Sequence, residues 1–225
     1  MEPDDDLAFA LSLADDADAI SLARFRALDL QVETKPDLTP VSEADRAVEA
    51  ALRERLGRDR PGEPVLGEEE GGEDESGWIL DPIDGTRNYT RGIPVWATLI
   101  AYADRVAVVS APALGRRWWA ERGAGAYANG EPICVSAIER LEDATLLYAL
   151  DRPVPEAAWS AWHVRGFGDF WAHMLVAEGA AEIAVDAAGL AIWDRAPLGI
   201  ILEEAGGRFD TPVSSNGVLD LNELL

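Results

Sequence analysis

Two aspartates separated by two residues carry the clearest chemical signal in this sequence. Asp81 and Asp84 flank Pro82 within the segment WILDPIDGTRNY, residues 78–89. Because the proline turns the chain, both carboxylates can converge on one point, and their mutual repulsion then favours a cation between them. Carboxylate oxygens are the ligands that Mg²⁺ prefers. The pair predicts a Mg²⁺ site, and an acidic turn without a metal is the alternative interpretation of the pair alone.

Neighbouring residues extend the predicted site. Gly85 and Thr86 follow the pair where a helix could begin, and backbone N–H groups at such a position bind phosphate oxygens. Three further acids stand at predicted element ends: Glu68 after a strand, Asp194 at the start of a late helix, and Asp45 in the first turn of the second helix. Each of them alone also fits a helix cap or a solvated charge.

The pattern of apolar residues predicts the elements that position these side chains. For the first half it predicts helices over 4–27 and from Ser42 to a stop at Gly57, a loop over 34–41, a strand over 78–80 that ends at Asp81-Pro82, strands over 95–102, 106–110 and 117–121, and an Asn129-Gly130 hairpin between 126–127 and 133–135. For the second half it predicts strands over 145–150 and 182–185 and helices over 170–177 and 194–204, the last ended by Gly206-Gly207.

This order of elements indicates an α/β fold with two halves. We expect residues 1–140 to form an α+β half that carries the metal-binding motifs. We expect residues 141–225 to form an α/β half that carries the last metal ligand and the substrate contacts.

Composition limits the possible partners. The 225 residues include 42 acidic and 19 basic side chains, a net charge of −23, which repels nucleic acid and anionic membranes. No apolar run approaches the ~20 residues that cross a bilayer, and one cysteine excludes an internal disulfide framework. We predict a soluble, cytoplasmic protein with neither nucleic-acid nor membrane partners. Such a protein binds a phosphate ester only through metal ions or oriented backbone N–H groups.

Four segments of the chain resemble motifs of the inositol monophosphatase family of Mg²⁺-dependent, lithium-sensitive phosphatases. WILDPIDGTRNY resembles the first family signature, and WDRAPLGIILEEAGG, residues 193–207, resembles the second. Gly67-Glu68-Glu69 resembles the glutamate motif, and TKPDLTPVSEAD resembles the N-terminal loop. The four fall in the family order between residues 34 and 207. The resemblance implies a layered α-β-α-β-α sandwich.

The resemblance also implies a role for each matched residue. Two or three Mg²⁺ ions would be held by Glu68, Asp81, the Ile83 carbonyl, Asp84 and Asp194. A metal would activate a water, and Thr86, backed by Asp45, would orient and deprotonate that water. The N–H groups of Gly85 and Thr86 would hold the phosphate oxygens in line, and no phospho-enzyme is needed.

Two other phosphatase types do not fit the spacing. The haloacid-dehalogenase type needs two aspartates one residue apart, whereas two residues separate Asp81 from Asp84. Cys134 and Arg140 satisfy the Cys-x5-Arg formula of cysteine phosphatases, but the loop between them contains Glu139 and no glycine.

The segment Gly168-Asp169-Phe170 bears on the substrate. Asp169 supplies an anion, and Phe170-Trp171 supply aromatic surface, a combination that suits a cationic substrate with a ring. Asp186 offers a second contact to an amine. This segment and residues 109–127 are similar to histidinol-phosphate phosphatases of the actinobacterial type in the same family. The predicted function is Mg²⁺-dependent hydrolysis of L-histidinol phosphate to L-histidinol and phosphate, in histidine biosynthesis.

Alternatives stay open at this point. Asp169 could instead cap the helix that begins at residue 170. The enzyme could be an inositol-1-phosphatase or a broad sugar-phosphate phosphatase. The chain could also be a non-catalytic metal- or phosphate-binding relic, because the region 144–167, which helps to cover the pocket in the family, is short. We expect a homodimer, and we expect His163 and His173 to be structural.

Overall fold

The computed structural model describes residues 6–72, 74–149, 154–186 and 190–219. Its helices are α1 (Asp6–Arg24), α2 (Glu43–Asp59), α3 (Thr86–Thr90), α4 (Asp169–Ala177) and α5 (Ile192–Glu204). No helix in these ranges is both long and apolar enough to cross a membrane.

The strands form two sheets and a short hairpin. The seven-stranded sheet has the order β3-β4-β5-β6-β7-β8-β9, from β3 (Val65–Gly67), β4 (Trp78–Asp84), β5 (Ala97–Tyr102), β6 (Val106–Ala111), β7 (Arg116–Glu121), β8 (Gly125–Ala128) and β9 (Glu131–Ile133). The five-stranded sheet has the order β11-β10-β12-β14-β13, from β10 (Thr145–Tyr148), β11 (His163–Arg165), β12 (Ile183–Val185), β13 (Arg208–Asp210) and β14 (Val213–Ser215). The hairpin pairs β1 (Val32–Thr34) with β2 (Pro40–Ser42).

Helices cover both faces of the seven-stranded sheet because its strands are apolar on both sides. In β6, Val106 and Val108 pack in a core cluster with α1 and α2, whereas Ala107 and Val109 pack in a cluster with α4 and α5. This alternation is the period of two that a strand imposes on its side chains. The second cluster also contains Leu147 of β10, so α4 and α5 lie between the two sheets.

The layered α/β fold expected from the sequence is confirmed. The outer face of the five-stranded sheet carries its own apolar cluster, which includes Leu146, Tyr148 and Ile183. Among the described residues, Ala158 of a 3₁₀ helix (Glu156–Ser160) packs on this cluster. The short region 144–167 therefore contributes a 3₁₀ helix to the outer layer. The predicted boundary at residue 140 stays a prediction. Contacts cross this boundary, because α5 of the second half packs against β5, β6 and β7 of the first half.

The prediction that the first strand of the site ends at Asp81-Pro82 is wrong. β4 continues to Asp84, with a register shift between Asp81, which pairs with Leu99, and Asp84, which pairs with Ala97. Proline cannot donate to a strand ladder and is tolerated at such a bulge. The bulge re-aims the second carboxylate, so that both aspartates can serve one site.

Several smaller boundaries also differ from the prediction. The first helix ends at Arg24 and not at residue 27, and the strand predicted from residue 95 begins at Ala97. The second helix passes Gly57 and ends at Asp59, because a glycine on an exposed helix face costs only about 1 kcal/mol. The expected loop over 34–41 is shorter, since β1 and β2 take its ends. The strand after Asn129-Gly130 lies at Glu131–Ile133 and not at 133–135.

Candidate active site

A cavity of about 410 Å³ collects the predicted site residues. All of them except Asp45 line it, namely Glu68, Asp81, Ile83, Asp84, Gly85, Thr86, Asp169, Asp186 and Asp194. Asp45 is fully buried and reaches the cavity through Thr86. Residues from both sheets and from three helices therefore meet at one place.

Three carboxylates crowd one end of this cavity. Asp81, Asp84 and Asp194 each offer an oxygen, and these oxygens lie within 4.8 Å of one another. Burial raises the pKa of Asp81 and of Asp84 well above its usual range, and neighbouring carboxylates raise both further. Burial and the charge of Glu68 raise the pKa of Asp194 to about 6, against a backbone hydrogen bond from Ala191 that lowers it. An all-oxygen set of mutually repelling carboxylates fits a hard divalent cation.

The glutamate motif is held by a buried acid that the sequence analysis did not single out. Glu49, on α2, is 0% exposed and accepts hydrogen bonds from the backbone N–H groups of Glu69 (2.7 Å) and Glu70 (3.0 Å). Gly67 passes so close that a Cβ there would lie 2.1 Å from Glu49 Oε1. Glu49 thus positions the turn that carries Glu68. Its spacing on the apolar face of α2 gives no sign of this role.

The only lysine of the chain also contacts this motif. Lys35 Nζ lies 2.8 Å from Glu68 Oε1 and 2.5 Å from Glu69 Oε1. Burial favours the neutral amine, but the two carboxylates outweigh it and raise the pKa of Lys35. The ammonium group therefore neutralises part of the acidic charge at this end of the cavity.

Thr86 and Asp45 form a hydrogen-bonded pair beside the three carboxylates. Thr86 Oγ1 lies 3.0 Å from Asp45 Oδ1 and 2.9 Å from the Ile83 carbonyl oxygen, so its one proton serves two acceptors. Asp45 Oδ2 accepts from the Ser42 backbone N–H at 2.9 Å, which completes the predicted capping box of α2. Burial raises the pKa of Asp45, and hydrogen bonds from Ser42 and Thr86 oppose the rise.

The turn into α3 requires glycine. Gly85 has φ +79°, in the left-handed region that favours glycine, and a Cβ there would lie 3.1 Å from the Val95 carbonyl oxygen. Tyr89 anchors the helix from behind, since its hydroxyl donates to the Ser21 carbonyl at 2.8 Å and its ring meets Trp96 edge-on. These contacts fix the backbone that carries Thr86.

The other end of the cavity carries Asp169 and Asp186. Asp169 has φ +55°, a strained value for a residue with a side chain. The first turn of its helix is capped from outside, because the Phe170 N–H donates to Asp84 Oδ2 at 2.6 Å. Asp169 itself makes no side-chain cap among the described residues, which removes the capping interpretation. Burial and the charge of Asp186 raise the pKa of Asp169, and Arg87 opposes them.

The aromatic residues that line the cavity are not the predicted set, and a cationic residue lines the cavity as well. Phe170 lines the cavity, but it is 0% exposed and meets Trp118 edge-on; Trp171 also packs on Trp118 and lies outside the cavity. Trp193 lines the cavity instead. Arg87 is the one cationic side chain among the described lining residues, and the sequence analysis gave it no role.

Comparison with known proteins identifies relatives along nearly the whole chain. The sequence model of the inositol monophosphatase family matches residues 2–221. A histidinol-phosphatase of Mycobacterium tuberculosis is 50% identical to this chain in an alignment of length 225. The alignment covers 91% of this chain and 86% of that protein. A histidinol-phosphatase of Streptomyces coelicolor is 46% identical over 230 residues, with 91% and 86% covered.

A solved structure agrees with these relatives. An inositol monophosphatase from Thermotoga maritima superposes with a TM-score of 0.84 at 28% identity, over 95% of this chain and 93% of that chain. This chain therefore shares its layered fold with a solved inositol monophosphatase.

Proposed function

The chain belongs to the inositol monophosphatase family and is a phosphoric monoester hydrolase, and we propose that its substrate is L-histidinol phosphate, cleaved to L-histidinol and phosphate in histidine biosynthesis. One observation carries this proposal: the carboxylates of Asp169 and Asp186 line the same cavity as the cluster of Asp81, Asp84 and Asp194. The cluster suits the phosphate end of the substrate, through a metal, and the pair suits an ammonium group.

We assign the metal ligands as Glu68, Asp81, the Ile83 carbonyl, Asp84 and Asp194, and the ion as Mg²⁺, two or three per site. The crowding of buried carboxylate oxygens supports this assignment. When bound, Mg²⁺ lowers the pKa of a coordinated water and offsets the negative charge that develops on the leaving oxygen.

In our proposal, Thr86 and Asp45 take the proton of the attacking water. Thr86 Oγ1 donates to Asp45 Oδ1, so the hydroxyl oxygen presents its lone pairs away from Asp45. When Thr86 Oγ1 accepts a proton from the water, it passes its own hydroxyl proton to Asp45, so the Thr86 hydroxyl stays neutral. The raised pKa of the buried Asp45 carboxyl favours this transfer, because a more basic carboxylate holds the proton better.

The phosphate group is bound by backbone and by charge. In our proposal the N–H groups of Gly85 and Thr86 donate to its oxygens, and their rigid turn costs no reorganisation at the moment of reaction. The exposed guanidinium of Arg87, next in the chain, adds a donor on the solvent side of the cavity.

The substrate end recognises the amine. Asp169 and Asp186 raise the local negative potential, and burial strengthens their attraction to an ammonium group. Inositol phosphate carries hydroxyl groups and no cation, so it gains nothing from this pair. Preference for the aminated ester follows from electrostatics alone.

The test is phosphate release from L-histidinol phosphate and inositol 1-phosphate, measured side by side with Mg²⁺ and with EDTA. We expect Mg²⁺-dependent release with kcat/KM at least tenfold higher for histidinol phosphate, the effect of about 1.4 kcal/mol of selective binding. Equal rates, or a preference for the inositol ester, would contradict the substrate while the metal requirement stands. No turnover on either ester with Mg²⁺ would favour the non-catalytic alternative.

Two further predictions from the sequence belong to this proposal. We propose a homodimer, which light scattering of the purified protein would test, since a monomer mass of 24.3 kDa contradicts it. We also propose a cytoplasmic location, which fractionation of the source cells would test.

A further inference from the structure

A buried histidine that the proposed reaction does not use lies behind the two substrate carboxylates. His173 is 0% exposed and follows Asp169 by one turn of α4. Its Nδ1 lies 2.6 Å from Ser214 Oγ on β14, and its Nε2 lies 3.3 Å from Asp186 Oδ2 just after β12. The ring meets Phe209 edge-on. His173 therefore joins the central helix layer to the end of the five-stranded sheet.

The partners of the ring decide which nitrogen carries the proton. An ionised Asp186 carboxylate only accepts hydrogen bonds, so Nε2 of His173 must donate. In the neutral imidazole Nδ1 is then an acceptor, and the Ser214 hydroxyl donates to it. The hydrogen bonds therefore run in one direction toward the cavity, because Ser214 donates to His173 and His173 donates to Asp186.

Only Asp186 among these three residues lines the cavity. His173 lies behind it and acts on a ligand only through the carboxylate it holds. The backbone N–H of Asp186 donates to the Pro212 carbonyl at 3.1 Å, so this bond holds the main chain, and His173 contacts the side chain at Oδ2.

We propose that His173 is a positioning residue that holds the Asp186 carboxylate toward the substrate ammonium group and thereby supports selectivity for phosphate esters that carry an amine. The inference rests on the proposed function, because it deepens the role of Asp186 at that same site. A carboxylate held in one orientation binds a cation with less loss of side-chain entropy than one that rotates freely. Removing Nε2–H therefore weakens amine binding and leaves the chemistry at the metal-binding end intact.

Two substitutions of His173 separate its two hydrogen bonds. The amide nitrogen of His173→Gln falls near the position of Nε2 and can still donate to Asp186, whereas the shorter amide of His173→Asn falls near Nδ1 and reaches only Ser214. The substrates are L-histidinol phosphate and its analogue without the amine, 3-(imidazol-4-yl)propyl phosphate. kcat and KM are measured for both esters with saturating Mg²⁺, and thermal unfolding reports the fold.

We expect His173→Asn to raise KM for histidinol phosphate about tenfold, with kcat and both constants for the analogue within about twofold of the wild type. We expect His173→Gln to keep KM for histidinol phosphate within about threefold. Equal losses on both esters, or no difference between Gln and Asn, would assign His173 a purely structural role and overturn the proposal.

A third variant keeps the test decisive if His173→Asn does not fold. Ser214→Ala removes the partner of Nδ1 and is expected to raise the KM ratio of histidinol phosphate to its analogue about threefold; an unchanged ratio overturns the proposal. A wild-type enzyme that does not prefer the amine refutes the proposed function itself. A wild-type preference that survives in His173→Asn refutes only the role of His173.

Discussion

The two ends of the cavity are built in different ways. At the metal-binding end, Asp81, Asp84 and Thr86 come from six consecutive residues, and a bulge and a left-handed glycine set their geometry locally. At the substrate end, Asp169 and Asp186 come from separate elements, and contacts across two layers orient them. In our proposal, the first end has the same requirements for every phosphate ester, whereas the second responds to the ammonium group of one ester.

In our proposal, the metal-binding end carries out the hydrolysis, and the substrate end selects among phosphate esters. The metal-binding end carries Asp81 and Asp84, and burial raises the pKa of both well above the usual range, which favours a cation beside them. The substrate end carries Asp169 in a strained conformation, and its helix is capped by Asp84 of the other end at 2.6 Å. This hydrogen bond links the two ends directly. Substitutions at the metal-binding end should therefore affect the hydrolysis of all esters equally, and substitutions at the substrate end should affect the hydrolysis of the aminated ester.

The largest expected effect comes from the metal-binding end. Asp81→Asn replaces a ligand oxygen with an amide and removes one charge from the cluster, so we expect kcat to fall about a thousandfold or more on histidinol phosphate and on its analogue without the amine. Phosphate release measures both. The same change relieves repulsion among buried acids, so thermal unfolding without metal should show a fold at least as stable. A loss confined to one ester would contradict the separation of the two ends.

The proton path should give the next largest effect. Thr86→Ala removes the hydroxyl that Asp45 contacts at 3.0 Å, and we expect kcat to fall about a hundredfold on both esters with KM nearly unchanged. Thr86→Ser is the matched control, since it keeps the hydroxyl and should retain most of the activity. Equal losses in the Ser and Ala variants would show that the methyl group matters and not the proton path.

A smaller effect is expected from the glycine under the glutamate motif. Gly67→Ala would place Cβ 2.1 Å from Glu49 Oε1, so either the Glu49 carboxylate or the turn that carries Glu68 must shift. Either shift changes the contact that positions Glu68, and we expect the Mg²⁺ concentration for half-maximal activity to rise about tenfold. Gly57→Ala is the control, because a Cβ at that helical position meets nothing within 4 Å. It should leave Mg²⁺ dependence unchanged and stabilise the helix by about 1 kcal/mol. Similar Mg²⁺ dependence in both variants would contradict the positioning role of Glu49.

The smallest effect concerns stability against pH. The pKa of Asp194 is raised to about 6, so between its ordinary pKa and 6 the folded metal-free protein holds more protons than the unfolded chain. Its contribution to the free energy of unfolding is full below pH 4 and is lost as pH rises through 6, on the order of 1–3 kcal/mol. Urea unfolding in EDTA at pH 5 and pH 7.5 measures it. Asp194→Asn should be relatively more stable than the wild type at pH 7.5, and a pH-independent difference would refute this.

Local sequence predicts those parts of the site that lie within a few residues of one another along the chain. Asp81, Asp84 and the capping box of Ser42 and Asp45 were predicted because neighbours in the chain are neighbours in the site. The continuation of β4 through Pro82 was missed, because a bulge depends on pairing with β5, which lies far along the chain. Tertiary pairing overrides local preference in such cases.

Glu49 and His173 contact residues of other layers, and the sequence next to them does not predict these contacts. Glu49 lies on the buried face of α2, and its role is revealed by the approach of Gly67 and by the backbone N–H groups of Glu69 and Glu70 that donate to it. His173 was expected to be structural, and its burial agrees with that expectation, but its contact to Asp186 depends on how α4 meets β12 and β14. Such contacts are a property of packing and not of any motif.

The most direct test of the account is the selectivity of Asp169→Asn. kcat/KM is measured for L-histidinol phosphate and for the analogue without the amine, with Mg²⁺, in the wild type and in the variant. The account predicts that the wild type favours the aminated ester at least tenfold, and that Asp169→Asn brings this ratio close to one while activity on the analogue stays within about threefold. An unchanged ratio, or an equal loss on both esters, would contradict the claim that this end of the cavity selects and the other end catalyses.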